Sequence, residues 1–299
     1  MTVAATAPGT PDAPDRPEER EPPAPTPDRT RRDWSAIWLV TRKDLTAVSR
    51  SKAIMVPMTL VPLVLLVGLP IGLGLFARSA PTETVTNALS SPMVKNLVQP
   101  ILSLPAREQI VVLVLGYILS PLLLVIPLMV SAALAADAFA GEKERRTLEG
   151  LLYLPITDRD LFLAKVLSAF VPALTVTWLG AFVYAIVSNV VAWPVMHRVF
   201  VPFSQWLAVI VWVAPAVALL ALGLLVIVSG RSKTTQEANQ LGVVVILPLI
   251  FLAAGQASAL LLAPVPVVLV FGAVIWGLAL LLVVVNGRRF TRDRLATSS

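Results

Sequence analysis

The chain has 299 residues, of which 57% are hydrophobic and only 14% charged, and its mean hydropathy is +0.81. A soluble domain is about 45–50% apolar and about 25% charged, so this is a membrane composition. No cysteine and a single histidine, His197, exclude disulfides, thiolate metal sites and His-cluster metal chemistry, while the net charge of +6 acquires its meaning from where the charges fall.

Residues 1–32 differ from everything after them. Eight of the 25 prolines lie there, from Pro8 to Pro27, among Asp, Glu, Arg and Thr. Such a segment buries too little apolar surface to order itself, so it is expected to be a disordered cytoplasmic tail. It lacks the apolar core of a signal peptide; solubilisation and a polybasic regulatory arm are the two roles open to it. Residues 33–52 follow as "DWSAIWLVTRKDLTAVSRSK". Trp34, Ile37, Trp38, Thr41, Leu45 and Val48 recur at helical spacing and share one face, with Ser35, Arg42, Lys43, Ser49 and Arg50 opposite and Asp33 as N-cap. This pattern predicts an amphipathic helix lying at the membrane–water boundary. A basic flank with interfacial aromatics is the plainer reading of the same residues.

Residues 53–287 are expected to form a six-span all-α membrane domain. A spanning helix needs about 20 apolar residues, and the runs of that length are 54–76, 110–136, 166–192, 206–228, 241–262 and 267–285. Only Ala263-Pro264-Val265-Pro266 separates the last two, so they are expected to pair as a hairpin. The segment 77–109 is too small for a receptor domain. Within it, "PMVKNLVQPILSLP" suggests a short amphipathic piece broken at Pro100. Residues 288–299 form a basic tail.

Lysine and arginine set the orientation. If both termini share one side, that side holds nine before the first span, five in the loop between spans two and three, Arg231 and Lys233, and four in the C-terminal tail. The other side holds only Arg78, Lys95, Arg107 and Arg198. Both termini are therefore expected in the cytoplasm, and the high pI follows from topology rather than from affinity for nucleic acid.

The spans contain no Asp, Glu, Lys, Arg or His. Carriers driven by protons or sodium place a carboxylate near mid-membrane, so the sequence disfavours that class. A zinc protease needs H-E-x-x-H, a serine hydrolase needs a base, and a nucleotidase needs a phosphate-binding loop; none of these is present. The chain is accordingly expected to be no enzyme and to hold no cofactor or metal of its own. Thr175, Thr177, Asn189 and Gln256 are the candidate polar lining of a substrate path. Pro57, Pro62, Pro70, Pro121, Pro127, Pro172, Pro215 and Pro248 each free a backbone carbonyl, which suits hinges and also ordinary membrane-helix usage.

The charged stretch is "GEKERRTLEGLLYLPITDRDLFLAK", residues 141–165. Leu148, Leu151 and Leu152 make an apolar stripe beside Glu142, Glu144, Arg145 and Glu149. Thr157 with Asp160 forms a capping box that starts the next helix after Pro155. A helix, a proline turn and a second helix, continuous with two spans, would carry a push to both.

These residues resemble the signature of ABC-2 type permeases, the membrane subunits of type V ABC exporters. The matching positions are Glu142, Glu144, Thr147, Leu148, Glu149, Leu151, Leu152, Pro155, Ile156, Thr157 and Lys165. Arg146 and Ala164 stand where the family usually has glycine. "SGRSKTTQEANQLGVVVILP", residues 229–248, is similar to the loop before the family's fifth span, and the resemblance covers roughly residues 34–290. It implies a cytoplasmic coupling helix over 142–152, an elbow helix around Trp34, Trp38 and Leu45, and two copies of a separate ABC ATPase that bind ATP and Mg. It also implies a homodimer, or a heterodimer with a sister permease, in the cell membrane. A hydrophobic or amphipathic cargo is expected. The alternatives are a non-transporting scaffold that docks a cytoplasmic partner, and an ion-coupled carrier such as one for sodium efflux.

Overall fold

The computed structural model describes residues 34–79, 81, 83, 101, 103–141, 157–229 and 234–289, and every regular element among them is helical. The N-terminal tail, Asp33, residues 92–100 and 102 of the expected amphipathic piece, the C-terminal tail from residue 290, and residues 142–156 lie outside the described set.

Helix α1 (Trp34–Arg50) buries Ile37 and Thr41, with Leu45 and Val48 half-buried behind them. The apolar periodicity therefore produced a packed face, though a narrower one than expected. Trp38 lies at the edge of the stripe and Trp34 almost a turn before it begins, leaving the two 59% and 60% exposed. The first span consists of α2 (Lys52–Leu63), a π-helical turn (Val64–Gly68) and α3 (Leu69–Ser79). The second is more broken: α4 (Ala106–Val112), a π turn (Leu113–Ile118), a 3-10 turn (Ser120–Leu124), α5 (Val125–Ala135) and a closing π turn (Ala136–Gly141).

Helix α6 (Asp158–Met196) is unbroken over 39 residues. At 1.5 Å per residue it is ~58 Å long, about twice the hydrocarbon core, so it runs well past the bilayer. It ends at His197, whose φ of 48° and ψ of 22° are left-handed and whose N–H donates to Trp193 O. The fourth span is α7 (Ser204–Ala208), a π turn (Val209–Val213) and α8 (Ala214–Ser229). Helix α9 (Thr235–Leu262) is capped by Thr234, whose Oγ1 accepts from Glu237 N at 3.1 Å. Ala263 and Pro264 then turn the chain directly into α10 (Val265–Arg289), but the two helices do not pair as the expected hairpin: α10 packs chiefly on α8, and α9 on the second span.

Five helical stretches are long and apolar enough to cross a membrane: Met55–Ser79, Ala106–Ala138, Asp158–Met196, Ser204–Ser229 and Val265–Arg288. The run expected at 241–262 lies in α9, an unbroken helix of 28 residues whose apolar stretch among the described residues, Gln240–Phe251, is shorter. The second and fourth spans form the centre, with 67% and 72% of their most apolar stretches buried, against 17% for the last span. The outer helices show Phe251, Val244, Phe182, Val190 and Val270 largely exposed. An apolar surface of that extent belongs against lipid or protein rather than water.

Candidate functional site

Two places in this bundle tie several helices together. The first is the junction where α1, the end of the second span and the start of α6 meet. Thr157 Oγ1 accepts from Asp160 N at 3.2 Å, so the capping box read from the sequence starts α6 at Asp158. Seven residues on, Lys165 is 1% exposed and its ammonium donates to Ala138 O at 3.0 Å, in the last turn of the second span. Thr41 Oγ1 of α1 lies 2.8 Å from its own-helix acceptor Ile37 O and 3.2 Å from Ala164 O of α6. Phe162, also buried, packs so closely on Gly287 near the end of α10 that a Cβ there would meet its ring at 3.1 Å. The ends of the second span and of α10, together with α1, are thus held around one turn of α6.

Such a junction is stiff because a buried ammonium or hydroxyl left unpaired is costly, whereas a charged donor on a carbonyl makes one of the stronger hydrogen bonds. Whatever displaces residues 142–156 acts on Gly141 on one side and on Thr157 on the other. The residues that the sequence singles out for coupling (Glu142, Glu144, Arg145, Thr147, Leu148, Glu149, Leu151, Leu152 and Pro155) lie in that segment, outside the described residues.

The second place is the middle of the bundle, where irregular turns leave carbonyls without their usual helical partners. Pro121 has no N–H, and Leu119 N reaches back to Val114 O across the π turn. Leu115 O then accepts from Ser120 Oγ at 3.1 Å and from the hydroxyl of fully buried Tyr184 on α6. The fourth span repeats the device around Pro215. Trp178 Nε1 donates to Ile210 O at 3.2 Å, and Trp276 Nε1 of α10 donates to Trp212 O at 3.1 Å. Trp212 Nε1 in turn donates to Leu269 O at 3.0 Å, and the rings of Trp212 and Trp276 lie 6.0 Å apart. Ser131 Oγ reaches Ala218 O at 3.4 Å, and Asn286 Nδ2 reaches Gly223 O at 2.7 Å. Neighbouring helices supply the donors that a lipid environment withholds.

A family model described as "ABC-2 family transporter protein" matches residues 38–269. The chain belongs to the ABC-2 transporter family. No curated protein matches it. The match runs from Trp38 in α1 through α9 to the first residues of α10, so the ABC-2 chain is a multi-pass helical membrane protein.

In this ABC-2 chain the residues read as a substrate path fall in different settings. Thr175 is exposed and bonds to its own-helix Val171 O at 2.9 Å, whereas Thr177 is fully buried and bonds to Ala173 O at 2.6 Å. Asn189 fastens the loop after α6: Oδ1 accepts from Phe200 N at 2.9 Å, and Nδ2 donates to Ala185 O and Val201 O. Gln256 lies on α9, and its side chain is outside the described set. Tyr184, Trp178, Trp212 and Trp276 escaped the sequence reading; the signal available was an aromatic donor in a span whose neighbour carries proline. Among the described residues no group of three or more His, Cys, Asp or Glu is placed to hold a metal ion.

Proposed function

We propose that the chain is the transmembrane permease subunit of an ABC exporter, moving a hydrophobic or amphipathic substrate out of the cytoplasm on ATP hydrolysed by a separate subunit. The observation that carries this reading is the family match over residues 38–269. Six spans place both termini in the cytoplasm, with α9, about 42 Å of helix, as the fifth. The permease sits in the cell membrane as a dimer, of two identical copies or with a sister permease, and binds two ATPase subunits, which hold the ATP and Mg.

Residues 142–152 form the coupling helix. Leu148, Leu151 and Leu152 give it an apolar contact, while Glu142, Glu144, Arg145 and Glu149 set register by charge. Thr147 belongs to the same interface, and the helix ends before Pro155. The elbow helix, α1, rests at the interface with Trp34 and Trp38 toward lipid headgroups and Leu45 toward the bundle. The lack of ionisable groups in the spans supports an energy source outside this chain.

The test is to purify the chain with the ABC ATPase it associates with and to measure substrate-stimulated ATP turnover in proteoliposomes. Glu149→Arg or Leu152→Asp is expected to leave the permease in the membrane and abolish stimulation. Full stimulation with either variant would remove 142–152 from the coupling role, and a chain that co-purifies with no ATPase would overturn the exporter reading.

A further inference from the structure

The outer face of α1 is cationic. Arg42, Lys43 and Arg50 lie on the helix and Lys52 just beyond the break at Ser51, and all four are exposed. Leu39, Lys43, Thr46 and Arg50 follow one another at helical spacing opposite buried Ile37 and Thr41, with Trp38 and Arg42 along the edge. Leu39 and Trp38 are 65% and 59% exposed, so apolar and cationic groups alternate on one surface. The one acid of α1, Asp44, lies on the bundle side, where Lys43 Nζ is 3.6 Å from its Oδ1. Arg42, Arg50 and Lys52 have no ion pair among the described residues.

Two markers fix the depth of this face. Thr41 Oγ1 is 3.2 Å from Ala164 O, just ahead of the apolar run of α6 that begins at Val166. Lys52 stands just ahead of the first apolar run, which begins at Ile54. Helix α1 is therefore level with the ends of two spans, where headgroups rather than acyl chains or bulk water meet the protein. A cluster of Lys and Arg at that level, on a helix beside a span, complements the negative potential of an anionic membrane surface. Each cation also donates to phosphate oxygens in charge-assisted hydrogen bonds.

We propose that the outer face of α1 binds anionic phospholipid, phosphatidylglycerol being the simplest, in preference to zwitterionic lipid. Arg42, Lys43, Arg50 and Lys52 take the phosphates, and Trp38 and Leu39 lie against the uppermost methylenes. The proposal rests on the interfacial placement of α1 given above and not on export or ATP, so either can fail alone.

The experiment uses Thr46→Cys, at the centre of the face in a chain without cysteine, labelled with bimane in the full chain in phosphatidylcholine nanodiscs. Phosphatidylglycerol or phosphatidylcholine bearing a nitroxide near the top of one acyl chain is added at the same low fraction, and quenching by the two is compared. Val267→Cys is the reference, exposed at the start of α10 in a stretch, residues 234–287, that has no Lys or Arg. At position 46 phosphatidylglycerol is expected to quench about fivefold more than phosphatidylcholine, the preference of a site roughly 1 kcal/mol tighter for the anion. At 267 the two lipids are expected to quench equally. Arg42→Gln, Lys43→Gln, Arg50→Gln and Lys52→Gln combined should bring the ratio at 46 to one and leave quenching by phosphatidylcholine in place, since Trp38 and Leu39 remain. Salt at about 1 M, which shortens the Debye length to about 3 Å, should lower the ratio as well. Equal quenching by both lipids at 46, the same preference at 267, or a preference that the combined variant leaves intact would overturn the proposal. Quenching at 46 by neither lipid would put protein rather than bilayer over α1 and overturn the interfacial placement with it, while the exporter reading still stands or falls on ATP turnover.

Discussion

Leu115 offers one carbonyl to two hydroxyls, Ser120 from its own span and Tyr184 from the next. In a membrane interior such bonds are worth about 0.6 kcal/mol each on average, while an unserved carbonyl costs more. Tyr184→Phe and Ser120→Ala are each expected to cost about 0.5–1 kcal/mol. The double variant should exceed their sum, because only there is the carbonyl abandoned; a double-mutant cycle from thermal unfolding in detergent measures the excess. His197 is a second point of single-residue control, since its left-handed backbone suits glycine better than any branched side chain. His197→Gly should leave the melting point unchanged or raised, and His197→Val should lower stability by about 1–2 kcal/mol in the same assay.

At the scale of elements, the prolines and the indoles belong together. Proline breaks the regular ladder within a span, and a tryptophan from a neighbouring helix repairs it, which demands close helix approach. Gly272 shows how close: a Cβ there would overlap the Trp212 indole, which is held by Leu269 O and Trp276. Gly272→Ala is expected to cost about 1–3 kcal/mol, the usual penalty for overpacking, with a shift in tryptophan fluorescence reporting the displaced ring. Much of this level could be read from the chain alone. Hydropathy located the segments and the Thr157–Asp160 spacing placed the start of α6, whereas the Ala263–Pro266 prolines gave a turn but not the partners of the helices on either side of it. The donors could not be read, because a proline's position is local whereas its repair arrives from residues 30 to 70 positions away. The polarity of Thr177 and Asn189 is likewise taken up by partners that the sequence does not show, their own helix and the adjoining loop.

For the whole molecule, the distribution of lysine and arginine makes a prediction that the absence of cysteine renders clean. A single Ser49→Cys in α1 and a single Val199→Cys after α6 can each be labelled with no native thiol in the background. Both positions are exposed. An impermeant maleimide applied outside intact cells is expected to label position 199 and not 49, with the pattern reversed in inside-out vesicles. The same labels on both faces of one preparation would break the assigned topology.

The bridged core carries one more consequence. Its cross-links use hydroxyls, an amide and indoles, all neutral, in spans without Asp, Glu, Lys, Arg or His. An electric field of 100 mV does about 2.3 kcal/mol of work on each elementary charge carried across the membrane, and the apolar runs of these helices carry none, the charges of α6 lying between Asp158 and Lys165 at its start. A rearrangement confined to those runs would move no side-chain charge through the field. Clamping proteoliposomes with a potassium gradient and valinomycin should leave transport of an uncharged cargo at the same rate from zero to −100 mV. If the chain is the exporter proposed above, a cell whose membrane potential has collapsed would lose its voltage-driven carriers and keep this one working for as long as ATP lasts.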